Sequence, residues 1–132
     1  MPILNPNTKD QVDMSPIEIG TYRAKIVEAP IGTSKKDNPV VKPKFLIQVN
    51  GQERPRQPSI VSSGPGSGQF DQLLRACHFD DLADRYKQGI EEPFDTDRLV
   101  GQELMVVIDH EMYTPEVGSP RKQDRIVAFL KA

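Results

Sequence analysis

The sequence predicts a mainly β fold in which five short antiparallel strands carry a helical insertion between the third and the fourth. Three observations predict it. Strand-like alternation of apolar and polar residues recurs in five segments, and twelve prolines and nine glycines punctuate the chain between them. Phe70, Leu73, Leu74 and Cys77 sit at i, i+3, i+4 and i+7, the buried stripe of a helix. Three strands, a helix and two more strands is the element order of the OB-fold. The expected architecture is therefore one five-stranded OB-fold barrel over residues 19–132, behind an irregular N-terminal arm over residues 1–18.

Each element has its own warrant. Tyr22, Ala24 and Ile26 alternate with Thr21, Arg23 and Lys25, which makes the segment opened by Gly20 a half-buried strand. Pro30 to Pro39 is turn chemistry throughout and reads as a long loop. The second strand, Val40 to Val49, puts Val41, Phe45, Ile47 and Val49 on one face, with Lys42, Lys44, Leu46 and Gln48 on the other. Asn50-Gly51 is a two-residue hairpin signal, so the third strand, Gln52 to Val61, is expected to pair antiparallel with the second. Pro55 and Pro58 mark that strand as an edge or a bulge.

Ser62 to Gly68 ends the sheet ahead of the helical stripe. A second helix near Asp80 to Gln88 has acids at its start and Gly89 at its end, and Glu91 to Gly101 connects it onward. The fourth strand, Glu103 to Tyr113, turns Leu104, Val106, Ile108 and Met112 inward and Met105, Val107, Asp109, Glu111 and Tyr113 outward. After a turn-rich loop over Thr114 to Gln123, the last strand, Arg125 to Leu130, is read with Ile126, Ala128 and Leu130 inward and Val127 and Phe129 outward.

With 132 residues, the chain has room for one core and not for two ordinary domains. No stretch approaches the roughly 20 apolar residues of a membrane span, and the first residues lack the layout of a signal peptide. A single cysteine excludes an internal disulfide framework. The expectation is a cytoplasmic protein without membrane contact.

Charge is distributed unevenly. From Gly20 to Ile60 there are eight Lys/Arg against three acids, and from Gly66 to Met112 four against eleven. Such asymmetry points to polyanion contact on one side. The candidate contact residues are Arg23, Lys25, Lys42, Lys44, Arg54 and Arg56 on one sheet surface, with Lys35 and Lys36 in the adjoining loop and Arg121 and Lys122 in the last one. Lys and Arg on phosphates bind without reading sequence, with strong salt dependence. Tyr113 and Phe129, on outward parity, are the candidate stacking platforms for bases; Tyr22 and Phe45 are read as core.

Other motifs are read as structural. Gly64-Pro65-Gly66-Ser67-Gly68 lacks the Lys-Ser/Thr of a phosphate loop and is read as a turn into a helix. Cys77, His78 and His110 do not have zinc-site spacing. Asp109 and Glu111 share a strand face without the partner a nuclease magnesium site needs. No cofactor, metal or catalytic residue is expected, and the chain is not read as an enzyme.

Several segments resemble a family of small bacteriophage proteins similar to phage-encoded single-stranded DNA-binding proteins. They are Gly20-Thr21-Tyr22-x-Ala24-x-Ile26, Ser34-Lys35-Lys36-Asp37-Asn38-Pro39, Leu99-x-Gly101-x-Glu103 into Val106-x-Ile108-x-x-Glu111-x-Tyr113, and Arg125-Ile126-Val127-x-Phe129. The resemblance spans roughly residues 18–130 and its motifs are short. It implies an OB-type fold, a role in phage DNA replication and recombination in the host cytoplasm, and a DNA-binding face that includes the Ser34-Lys35-Lys36 loop. Such proteins often end in an acidic tail. This sequence ends in Phe129-Leu130-Lys131-Ala132, which implies either trimming or a member without that regulation.

The expected function is sequence-independent binding of single-stranded DNA. Self-association and phage or host replication and recombination proteins are further partner expectations. The alternative is a phage interaction or structural module that uses the same barrel to hold a protein, with the acidic side from Asp80 to Asp97 as its contact surface.

Overall fold

The computed structural model describes residues 2–7, 15–33, 37–114, 118 and 121–132. Among them the strands are β1 (Gly20–Glu28), β2 (Ile31–Thr33), β3 (Pro39–Val41), β4 (Lys44–Val49), β5 (Gln52–Arg56), β6 (Ile60–Val61), β7 (Glu103–Tyr113) and β8 (Arg121–Lys131). The helices α1 (Gly68–Ala76) and α2 (Asp80–Lys87) and a 3₁₀ turn (Thr96–Leu99) lie between β6 and β7. One antiparallel sheet has the order β5-β4-β1-β7-β8, and a smaller one has the order β2-β3-β6. Mainly β structure with a helical insertion is as expected; the five-stranded sheet is not closed by a ladder between β5 and β8.

Proline placement explains how the expected strands divide. The second breaks at Lys42-Pro43 into β3 and β4, and the third breaks before Pro58 into β5 and β6, since proline offers no N–H to a ladder. The freed pieces pair with each other, and β3 pairs on its other side with β2, which lies inside the segment expected to be loop throughout. The Asn50-Gly51 turn is as read: both residues have positive φ, 51° and 81°, and Val49 pairs with Gln52 across it.

The core lies on the concave side of the large sheet. Ala24, Ile26, Phe45, Ile47, Leu104, Val106 and Ile108 point into it, and Leu73 and Leu74 of α1 cover it. The sheet curls far enough for Phe45 on β4 to stack on Phe129 on β8, with ring centroids 5.5 Å apart. Helix α1 also covers part of the β8 edge. Gln72 accepts from the Phe129 N–H at 3.3 Å, and Gln69 donates to the Ile126 carbonyl at 3.4 Å, so two groups on an edge strand gain partners without a neighbouring strand. Cys77, expected on the buried stripe, is buried, and burial pushes its thiol up to about 12.

A polar latch spans the gap between the two sheet edges. Asp124 on β8 accepts from Arg56 of β5 through Nε at 2.7 Å and Nη2 at 2.6 Å, and from the Ile17 N–H at 2.8 Å. Arg54 of β5 donates to the Ser15 carbonyl, and His110 Nε2 lies 2.6 Å from the Ile17 carbonyl oxygen. Ile17, in the segment expected to be an irregular arm, is thereby held in the core at 1% exposure.

The latch is pH-sensitive. Burial opposes ionisation of Asp124, but the hydrogen bonds from Arg56 and the Ile17 N–H outweigh it and hold the carboxyl below the usual range. A carboxyl depressed in the folded state stabilises fully above its unfolded value near 4, and that contribution fades as pH falls through the lowered folded value. Asp124→Asn is expected to cost about 2–4 kcal/mol at pH 7 in urea unfolding, because it leaves a half-buried guanidinium without its counter-charge. The gap between variant and wild type should narrow steadily below about pH 4.

Candidate nucleic-acid interface

The convex face of the large sheet is where the cations of β1 and β4 emerge. Thr21, Arg23 and Lys25 point away from the core, opposite Val107, Met105 and Glu103 of β7. Lys25 also faces Leu46 of β4. Lys44 is one diagonal step away on the same face, a spacing of about 7–8 Å in an antiparallel pair. Arg23 forms an exposed ion pair with Glu103 at 3.2 Å, which is weak in water and open to exchange for a phosphate. Lys25, Lys42 and Lys44 have no ion-pair partner among the described residues. Lys42 is half-buried between β3 and β4, its stem lying over Gly32, where an added Cβ would come within 3.0 Å of it. Lys35 and Lys36 lie outside the described residues.

A second group sits at the far end of β7. Tyr113 is 49% exposed and pairs in register with Arg121, while Met112 pairs with the exposed Lys122. Ten residues of β7 separate Tyr113 from Glu103, beside Lys25, which is about 33 Å of strand. The expected surface is thus not one continuous cationic face: Tyr113 shares the outward parity of Lys25, but Lys122 shares that of Met112, the core side. Between Lys25 and Tyr113 the face is largely apolar or internally neutralised. Leu46, Met105 and Val107 are half-buried there, Leu130 is half exposed, and Arg125 pairs with Glu111 at 3.3 Å.

Three expected assignments are corrected. Arg54 is not on the outer face: it stands opposite Ile47 on the core side and is 6% exposed. Arg56 shares that parity and is committed to Asp124. On an edge strand the inward positions border a gap rather than a neighbouring strand, and long cationic side chains fill it by reaching across. Phe129, expected outward, is 4% exposed. The cause is a bulge: Val107 pairs with Ala128 but Ile108 pairs with Ile126, so Val127 is an extra residue that inverts the strand's parity. Leu130, expected inward, is consequently exposed, and Met112 is exposed because β7 runs past the core. The apolar run Ile126-Val127-Ala128-Phe129 was the available signal, since strict alternation cannot accommodate it.

The carboxylates read as a weak nuclease candidate have local partners. Asp109 accepts from the His110 N–H at 2.7 Å, and Glu111 is engaged by Gln123 at 2.6 Å and by Arg125. Among the described residues no three His, Cys, Asp or Glu side chains are grouped to hold a metal ion. Sequence reasoning missed Asp124 and Ile17 and weighed His110 only as a metal ligand, because each acts through a contact more than ninety positions away or across the open edge.

The two aromatic candidates separate in a stability assay. Phe129→Ala is expected to cost about 3–5 kcal/mol, the range for a buried aromatic ring. Tyr113→Ala should stay within about 0.5 kcal/mol of wild type, as for other surface changes. Chemical denaturation of the two variants checks both.

No protein-family model matches this chain. No curated protein matches it either.

Proposed function

We propose that this chain binds single-stranded DNA without reading its sequence, in phage DNA replication and recombination, through an OB-like version of the curled sheet. The observation that carries the reading is that Lys25 and Lys44 lie one diagonal step apart on the outer face and, like Lys42, form no ion pair among the described residues, while residues 68–97 hold eight acids against three bases. Strand order supports it as well. In chain order the five long strands lie third-second-first-fourth-fifth in the sheet, as in an OB barrel opened between its third and fifth strands. The phosphate chain would engage Lys25, Lys42 and Lys44 together with Lys35 and Lys36, displace Glu103 from Arg23, and run along the outer face towards Tyr113. Tyr113 is then the single stacking platform at the far end. With one exposed aromatic, affinity per protomer rests mainly on phosphate contacts and is strongly salt-dependent.

A protein-interaction module is the second reading, favoured by the apolar groove and the net charge of −5 over residues 68–97, eight acids against three bases. One experiment separates the two. Anisotropy of a labelled oligo-dT should report binding at low salt that weakens as salt rises and resists a duplex competitor. Lys25→Ala with Lys44→Ala should weaken it about tenfold and flatten the log–log salt slope by about 1.4, two single-strand phosphate contacts. Absence of any binding at low salt would overturn the DNA reading in favour of a protein partner.

A further inference from the structure

A groove of about 830 Å³ opens between α1, α2, the chain from Gly89 to Thr96 and the small sheet, well within the size range of ligand sites. Val40, Val41, Phe70 and Leu74 form its apolar interior. Ile31 and Ile90 also line it, although they are 69% and 45% exposed. The walls are held in place. Tyr86 Oη donates to the Glu92 carbonyl at 2.8 Å, Arg85 holds the Glu92 carboxylate at 2.8 Å, and Phe94 packs edge-on against Phe70 and Phe79. Around it, residues 68–97 carry eight acids against three bases, and Glu91 on the lip has no ion-pair partner among the described residues. A nucleic acid is repelled from such a site; an apolar segment free of acids fits it.

The chain itself contains such a segment. Residues 2–7 carry no charged side chain, and Ile3 and Leu4, at 77% and 89%, are the most exposed large apolar side chains among the described residues. Pro2 and Pro6 flank them and keep the backbone extended, which lowers the entropy lost on docking. None of residues 2–7 lines the groove of its own chain.

We propose that Ile3 and Leu4 of one copy seat in the α1–α2 groove of a second copy. The contact is heterologous: each copy offers one arm and one groove, so the association extends head to tail unless its rotation closes a ring. It does not depend on DNA binding, and its test contains no DNA.

Sedimentation velocity of the full chain across a roughly hundredfold concentration range should show the average mass rising above that of a monomer. Ile3→Asp/Leu4→Asp should remain monomeric throughout, at least about tenfold weaker in association. Ile90→Asp, at an exposed position, should abolish association from the groove side. Mixing the two variants should restore a one-to-one complex and nothing larger, because one intact arm and one intact groove remain. A wild-type chain that stays monomeric, association that survives either variant, or a mixture that fails to pair would each overturn the proposal. A labelled peptide of residues 1–9 that binds the arm variant but not a monomeric wild type would instead place the arm in the groove of its own chain, and would overturn it too.

Discussion

The Asp124 carboxylate is the group on which the curled sheet depends. An antiparallel sheet of five strands has two edges, and here neither ladder nor symmetry joins them. Asp124 on one edge takes a two-pronged grip from Arg56 on the other, and its remaining capacity goes to the Ile17 N–H. That places an isoleucine as a plug where a barrel would have its last row of hydrogen bonds. The arrangement costs desolvation of the charges involved, and two-pronged guanidinium geometry with a third donor is what makes such burial tolerable. Arg54 to the Ser15 carbonyl and His110 beside the Ile17 carbonyl fix the same segment from either side.

Edge management of this kind also explains the helical insertion. The β8 strand would present open donors and acceptors on its outer side, a template for unwanted pairing. The Asp124 side chain ties its early half to β5, and part of its later half is covered by Gln69 and Gln72 of α1. Once α1 is seated there, α2 and the segment after it follow, packed through Phe70, Phe79 and Phe94 with the Arg98 guanidinium 4.8 Å from the centre of the Phe79 ring. The insertion carries eight of the chain's nineteen acids against four bases, so covering the edge also sets an acidic side apart from the cations of β1 and β4.

Much of this was legible in the sequence. Alternation placed β1, β4 and β7, Asn50-Gly51 placed the hairpin, and the Phe70-Leu73-Leu74-Cys77 stripe with Gly89 placed both helices, because periodicity and turn chemistry are local properties. Arg23, Lys25 and Lys44 were assigned to the outer face correctly for the same reason. The errors share one cause. Arg54 and Phe129 were assigned by parity, and parity along a strand names two faces without saying which one is the core. For Phe129 the answer was reversed by the extra residue Val127, and for Arg54 by the edge gap that it fills.

The sequence by itself determined the element types, the hairpin, the helical stripe and the division of charge between two stretches of chain, since each depends on residues within a few positions of one another. Only the tertiary structure decided that Ile17 belongs to the core, that Arg56 serves the fold and that Lys122 leaves the face on which Lys25 and Lys44 emerge. Those outcomes depend on how far the sheet curls and on which edges meet. They arise from contacts between residues as distant as Ile17 and Asp124, and no local pattern encodes them.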